Sequence, residues 1–212
     1  MVGMEVLEKI LGNSARVKIM RLFLFNPTET FDVGNIAERS KVSEPIARKE
    51  VLMMEKVGLV KKHPFVKEIT SGHGKKQKKI RRRVVGWKVN ESFDYLDSLQ
   101  NLLIQISPLR NGDLLERLRK VGKLKLVIVS GLFINNWDSR IDLLIVGDLL
   151  RKGALENTVK IIESEIGREI RYTFFETADF QYRLGIYDKL IRDILDFPHE
   201  KILNKINLSI SR

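Results

Sequence analysis

A chain of 212 residues is long enough for one large or two small domains, and 43% hydrophobic with 31% charged residues marks a globular protein. Without cysteine it has no disulfides or thiolate metal centres, no apolar run approaches the roughly 18 residues of a membrane span, and residues 1–12 lack the pattern of a secretory leader. A cytoplasmic protein that makes no membrane contact is expected.

The net charge of +11 is concentrated, because eleven Lys or Arg lie between Lys61 and Lys88 against the single acid Glu68. The rest of the chain is close to neutral. A basic block this dense is either solvated surface or a means of neutralising phosphate.

In chain order, Asn13 or Ser14 is placed to cap a helix in which Val17, Ile19, Met20, Phe23 and Leu24 follow helical spacing, and Asn26-Pro27 ends it. A short helix is predicted over about Val33 to Arg39, with a tight turn at Ser40-Lys41-Val42. Ser43 then caps a third helix, with Pro45 tolerated in its first turn and Ala47, Val51 and Met54 forming one apolar face. Gly58 terminates it and Leu59-Val60 begins a strand. Residues 60–89 read as a β-hairpin, with strand formers Phe65, Ile69, Val84, Val85, Trp87 and Val89 around a tip at Thr70-Ser71-Gly72-His73-Gly74. A helical stretch over Phe93 to Ile106 follows, suited to linking two domains, pairing with its symmetry mate, or packing into its own core.

Beyond Pro108, the pattern predicts a helix over Asp113 to Val121 and strands over Leu124 to Val129, Ile141 to Val146 and Glu169 to Phe175. An amphipathic helix over Leu155 to Ile166 lies between the last two strands, and helices over Ala178 to Leu195 and His199 to Ile206 complete the chain. The three histidines, His63, His73 and His199, are far apart and suggest no metal site; His199, after Pro198, reads as a helix start.

Helix, short helix, turn, longer helix, Gly-Leu and strand is an order that resembles the winged helix-turn-helix of many bacterial and archaeal regulators over about residues 10–90. The resemblance rests on the segment from Ile36 to Ser43 and on Leu52-Met53-Met54-Glu55-Lys56-Val57-Gly58-Leu59-Val60. It implies that the helix over 43–57 enters the major groove of double-stranded DNA, presenting Ser43, Glu44, Ile46, Arg48 and Lys49, with Lys41 on the backbone. It further implies that Lys75, Lys76, Lys78, Lys79, Arg81, Arg82 and Arg83, in a wing over 61–88, lie along phosphates or enter the minor groove.

Val127-Ile128-Val129-Ser130-Gly131, followed by the segment from Asp138 to Gly147, resembles the core of the minimal nucleotidyltransferases, as do Ile166-Gly167-Arg168-Glu169-Ile170 and Thr177-Ala178-Asp179-Phe180. This likeness covers about residues 110–205. In that family a strand ends in Gly-Ser, and the next strand holds metals on two carboxylates one residue apart. Here Arg140 stands at the first of those positions, only Asp142 remains, Arg171 falls near the third acid, and Ser130-Gly131 reverses the glycine-serine order. Strand alternation would set Arg140 and Asp142 on one face.

The resemblance therefore implies no metal, no cofactor and no catalysis. Ser130, Arg140, Asp142 and Arg171 form either a structural ion pair or an anion and effector site; a transferase using other carboxylates is the third alternative. The expected architecture is α+β: a winged helix-turn-helix domain of three helices and a hairpin over 1–90, a linker helix over 91–110, and a nucleotidyltransferase-like domain over 111–212. The expected function is sequence-specific, DNA-binding transcriptional regulation, as a homodimer. A nucleotidyltransferase recruited by a DNA-binding domain, and an RNA- or ribosome-associated protein, are the alternatives.

Overall fold

A computed structural model describes residues 2–71, 78–104, 111–136 and 138–208. It is a mixed α+β chain that separates into two units, one formed by Glu5–Ile106 with Ser164–Arg168, the other by Met1–Met4, Ser107–Glu163 and Glu169–Arg212. Among the described residues no helix is long and apolar enough to cross a membrane.

In the N-terminal unit, α1 (Val2–Leu11) precedes the first expected helix and buries Leu7. Helix α2 (Ser14–Phe25) is capped by the Asn13 side chain, which accepts from the Arg16 amide at 2.7 Å. Helix α3 (Val33–Ser40) is capped in the same way by Asp32, which accepts from the Asn35 amide at 2.8 Å. Lys41 follows it in the left-handed conformation (φ 53°), giving the tight turn into α4 (Glu44–Lys56). Ala47, Val51 and Met54 are fully buried on the inner face of α4, as their spacing predicts. Gly58, at φ 87°, stops the helix where a side chain would be strained.

The chain then forms β1 (Val60–Ser71) and β2 (Lys78–Val89), paired antiparallel in unbroken register from Val60 opposite Val89 to Ser71 opposite Lys78. On the other edge of β2, Phe31 exchanges backbone bonds with Trp87 at 3.0 and 2.8 Å, which ties the start of α3 to the hairpin. Gly86 is required at this crossing. A Cβ there would lie 2.7 Å from the Phe31 carbonyl oxygen and 2.8 Å from the Phe65 ring.

Helix α5 (Leu96–Ile104) is shorter than the linker expected over 91–110, and residues 105–110 lie outside the described ones. Its Leu103 is fully buried in the same core as Val17, Phe23 and Val51, with Phe93, Leu96 and Leu99 packed against that core. Its apolar face is thus packed into the core of this unit, one of the three uses that its sequence allows.

Arg21 and Glu50 are charged groups buried inside this unit. Arg21, within an otherwise apolar helix face, is fully buried and donates to the carbonyls of Leu103 (3.0 Å) and Glu165 (3.1 Å). Burial pulls its pKa down to about 10, while the charges of Glu165 and Glu8 oppose the shift. Glu50, on the inner face of α4, accepts from Arg16 Nε at 2.8 Å and from Asn13 Nδ2 at 3.1 Å. Glu50→Ala strands both donors, and because Arg16 is 30% exposed and partly re-solvates, the expected loss is about 2 kcal/mol. Thermal melting checks this, and an unchanged midpoint would show that the pair contributes nothing.

In the C-terminal unit, α6 (Asn111–Leu118) and a 3-10 turn at Arg119–Val121 lead into β3 (Lys123–Ser130). After β4 (Leu143–Asp148) come α7 (Lys152–Ile166), β5 (Tyr172–Glu176), α8 (Thr177–Gly185), α9 (Lys189–Asp196) and β6 (His199–Asn204). The sheet order is β5-β4-β3-β6, with β4 parallel to β5 and β3 antiparallel to both of its neighbours. Leu143 to Val146 are buried on both faces of the sheet, which is why the sequence there is a continuous apolar run.

The helix expected over His199–Ile206 is instead the edge strand β6. Ile202 and Ile206 have helical spacing, but the open edge of β3 offers this short segment a full backbone ladder, and the tertiary partner outweighs the local pattern.

Candidate nucleic-acid interface

The outer face of α4 follows from its inner one. With Ala47, Val51, Met54 and Glu50 buried, helical spacing turns Ser43, Glu44, Ile46, Arg48 and Lys49 outward, and all five are exposed, as is Lys41 in the preceding turn. Leu52 shares this face at 45% exposure; sequence reading missed it because leucine in a helix is ordinarily core. A cleft runs between the start of α3, α4 and the hairpin. Glu44, Arg48 and Leu52 line it on the helix side, and Lys62, Lys67, Val84 and Val85 on the hairpin side.

The bases of the hairpin differ in their partners. Lys62 Nζ lies 2.9 Å from Glu55 Oε1, Lys67 Nζ 2.6 Å from Asp32 Oδ2, and Lys88 Nζ 3.1 Å from Glu91. These three are neutralised by acids of their own unit. Arg81 makes a 3.4 Å contact with Glu68 between two exposed side chains, a pair worth little. Lys61, Arg82 and Arg83 are exposed and have no ion-pair partner among the described residues. Lys78 and Lys79 lie in β2 opposite Ser71 and Thr70, while Lys75, Lys76 and His73 fall outside the described residues.

Glu55 also accepts from Trp87 Nε1 at 2.9 Å; this bond, and then Lys62, hold its carboxyl below the usual range. Neither Asp32 nor Glu55 stood out in the sequence. Lys67 lies 35 residues from Asp32 and Trp87 lies 32 from Glu55, distances no local pattern reports. His63 reaches only the Thr30 hydroxyl, at 3.3 Å. Among the described residues no three His, Asp or Glu gather as a metal site.

No family model, curated protein or solved structure matches this chain.

In the C-terminal unit the structure brings three of the four expected residues together. The Asp142 carboxylate is buried and accepts four N–H groups: the Leu132 amide (2.9 Å), the Arg171 amide (2.9 Å), Arg171 Nε (3.1 Å) and Arg171 Nη2 (3.0 Å). The Asp142 hydrogen bond, as its main cause, raises the Arg171 pKa further above its usual value. Ser130 lies alongside, its amide donating to the Asp142 carbonyl at 2.9 Å and its hydroxyl to the Ile141 carbonyl. Gly131, at φ 54°, is needed because a Cβ there would overlap the Asp142 carboxylate, only 2.1 Å away.

Arg140 departs from expectation. Strand β4 begins only at Leu143, so strand alternation does not govern residues 140–142, and Arg140 pairs with Asp193 at 2.8 Å while remaining two-thirds exposed. His199 opens β6 opposite Ser130, and its Nδ1 donates to the Phe197 carbonyl at 2.8 Å; it does not start a helix. Asp142 and Arg171 thus form an ion pair with Ser130 beside it, and Arg140 lies outside it.

Proposed function

We propose that this protein is a sequence-specific, DNA-binding transcriptional regulator whose N-terminal unit acts as a winged helix-turn-helix. One observation carries the reading: α4 exposes Ser43, Glu44, Ile46, Arg48 and Lys49 on one side, and a hairpin bearing Arg81, Arg82 and Arg83 stands across a shared cleft. A helix is the right width for the major groove, Arg48 and Lys49 donate to guanine O6 and N7, and Glu44 accepts from cytosine N4. Ile46 offers apolar contact to a thymine methyl. The hairpin bases meet phosphate and add affinity without reading sequence.

The C-terminal unit, in this reading, is a nucleotidyltransferase-like domain without catalysis. Asp142 is the one carboxylate at the position where that chemistry needs a pair, and a bidentate arginine and two amides already saturate it.

Arg48→Ala tests base reading. On a duplex selected from a random-sequence pool, its loss is expected to cost about 1–3 kcal/mol, and much less on random duplex. Equal losses on both would reduce Arg48 to a phosphate contact, and no loss on either would remove α4 from the interface.

A further inference from the structure

We propose that Asp32 and Glu55 are positioning residues that set the angle of the hairpin against α4, and so the span between the base-reading helix and the phosphate contacts. The inference rests on the DNA-binding reading for its consequence, but not for its geometry. Lys62 and Lys67 are five residues apart on β1 and both line the cleft between the ribbon and the helices. One is held by Glu55 on α4 and the other by Asp32 at the cap of α3, so the helical body holds the ribbon at two separate points along β1.

Each carboxylate has a second bond that fixes it in place. Glu55 accepts from Trp87 Nε1, and Asp32 accepts from the Asn35 amide. Both carboxylates are partly shielded, with Asp32 at 17% and Glu55 at 27% side-chain exposure.

A two-stranded ribbon has little stiffness of its own. With 12 residues in each strand it extends about 40 Å, so a 10° error at its base moves the far end by about 7 Å. That is the spacing of neighbouring phosphates on a strand. Lys62 and Lys67 are therefore anchors, and the phosphate contacts fall to the bases further along the ribbon.

The test uses Asp32→Asn with Glu55→Gln in the full chain. Asparagine still caps α3, and glutamine still accepts from Trp87, so the fold is retained while both charges go. The pair also removes two negative charges, which alone would strengthen binding to DNA. The chain has no cysteine, so Lys56→Cys on α4 and Val66→Cys on β1, both exposed, give clean spin-label sites.

Pulsed electron–electron distances between them are expected to form one narrow distribution in the parent and to broaden at least twofold in the double variant. Lys62→Gln with Lys67→Gln is expected to broaden it equally, from the other side of each pair. The preference for a selected duplex over a random one is expected to fall at least tenfold, without any loss of affinity for random duplex. An unchanged distance distribution, or an unchanged preference, would overturn the proposal. Should the parent select no duplex, the DNA reading fails, and the distances alone decide whether Asp32 and Glu55 hold the hairpin.

Discussion

Replacing Lys75, Lys76, Lys78 and Lys79 together with alanine is expected to flatten the dependence of duplex affinity on salt by about 3–4 units of log K per log salt. Each phosphate contact releases condensed counterions and contributes about 0.9 to that slope, so four lost contacts give the full effect. At 50 mM salt the quadruple variant then binds far more weakly than the parent, and the difference narrows as salt rises. The same measurement on Lys62→Gln with Lys67→Gln is expected to leave the slope nearly unchanged, because Glu55 and Asp32 already neutralise those side chains. A parent slope retained in the quadruple variant would show that these lysines are solvated surface.

Asp142→Ala is expected to cost the C-terminal unit about 2–4 kcal/mol, a larger loss than Glu50→Ala causes in the N-terminal one. It removes the acceptor of four N–H groups at once and leaves a cavity beside Gly131. Arg171 is 47% exposed and recovers part of its hydration, which keeps the cost below that of a fully buried pair. Asp142→Asn is expected to fall between the parent and Asp142→Ala, because an amide oxygen accepts where its nitrogen cannot. Melting curves check the order of the three proteins. The parent is also expected to transfer no label from nucleoside triphosphates with magnesium or manganese. Transfer that Asp142→Ala abolishes would overturn the non-catalytic reading.

Local features of the N-terminal unit are legible in the sequence. The cap at Asn13, the glycine stop at Gly58 and the inner stripe of Ala47, Val51 and Met54 are all short-range signals, and α2 and α4 form where those signals stand. The exposure of Arg48 and Lys49 follows from that stripe alone.

Features set by distant partners are harder to read. Glu50 falls on the inner stripe of α4 but its partner Arg16 lies 34 residues away, and Asp32 and Glu55 acquire their roles only when the hairpin folds back. Strand β6 has an ambiguous pattern that the edge of β3 resolves. Arg140 precedes the start of β4 by three residues, so its partner is Asp193 and not Asp142. In the C-terminal unit the sequence offers both Arg140 and Arg171 to Asp142, and the amides of Leu132 and Arg171 that complete the carboxylate's shell are backbone groups without a side-chain signature.

The most direct test is a salt titration of the full chain against random-sequence duplex DNA, a duplex selected from the same pool, and a structured RNA of equal length. The expected result is tighter binding to duplex DNA than to RNA at every salt concentration, with the selected duplex preferred over the random one by at least about a thousandfold. RNA bound as tightly as DNA, with no duplex preferred over any other, would contradict a sequence-specific DNA-binding function.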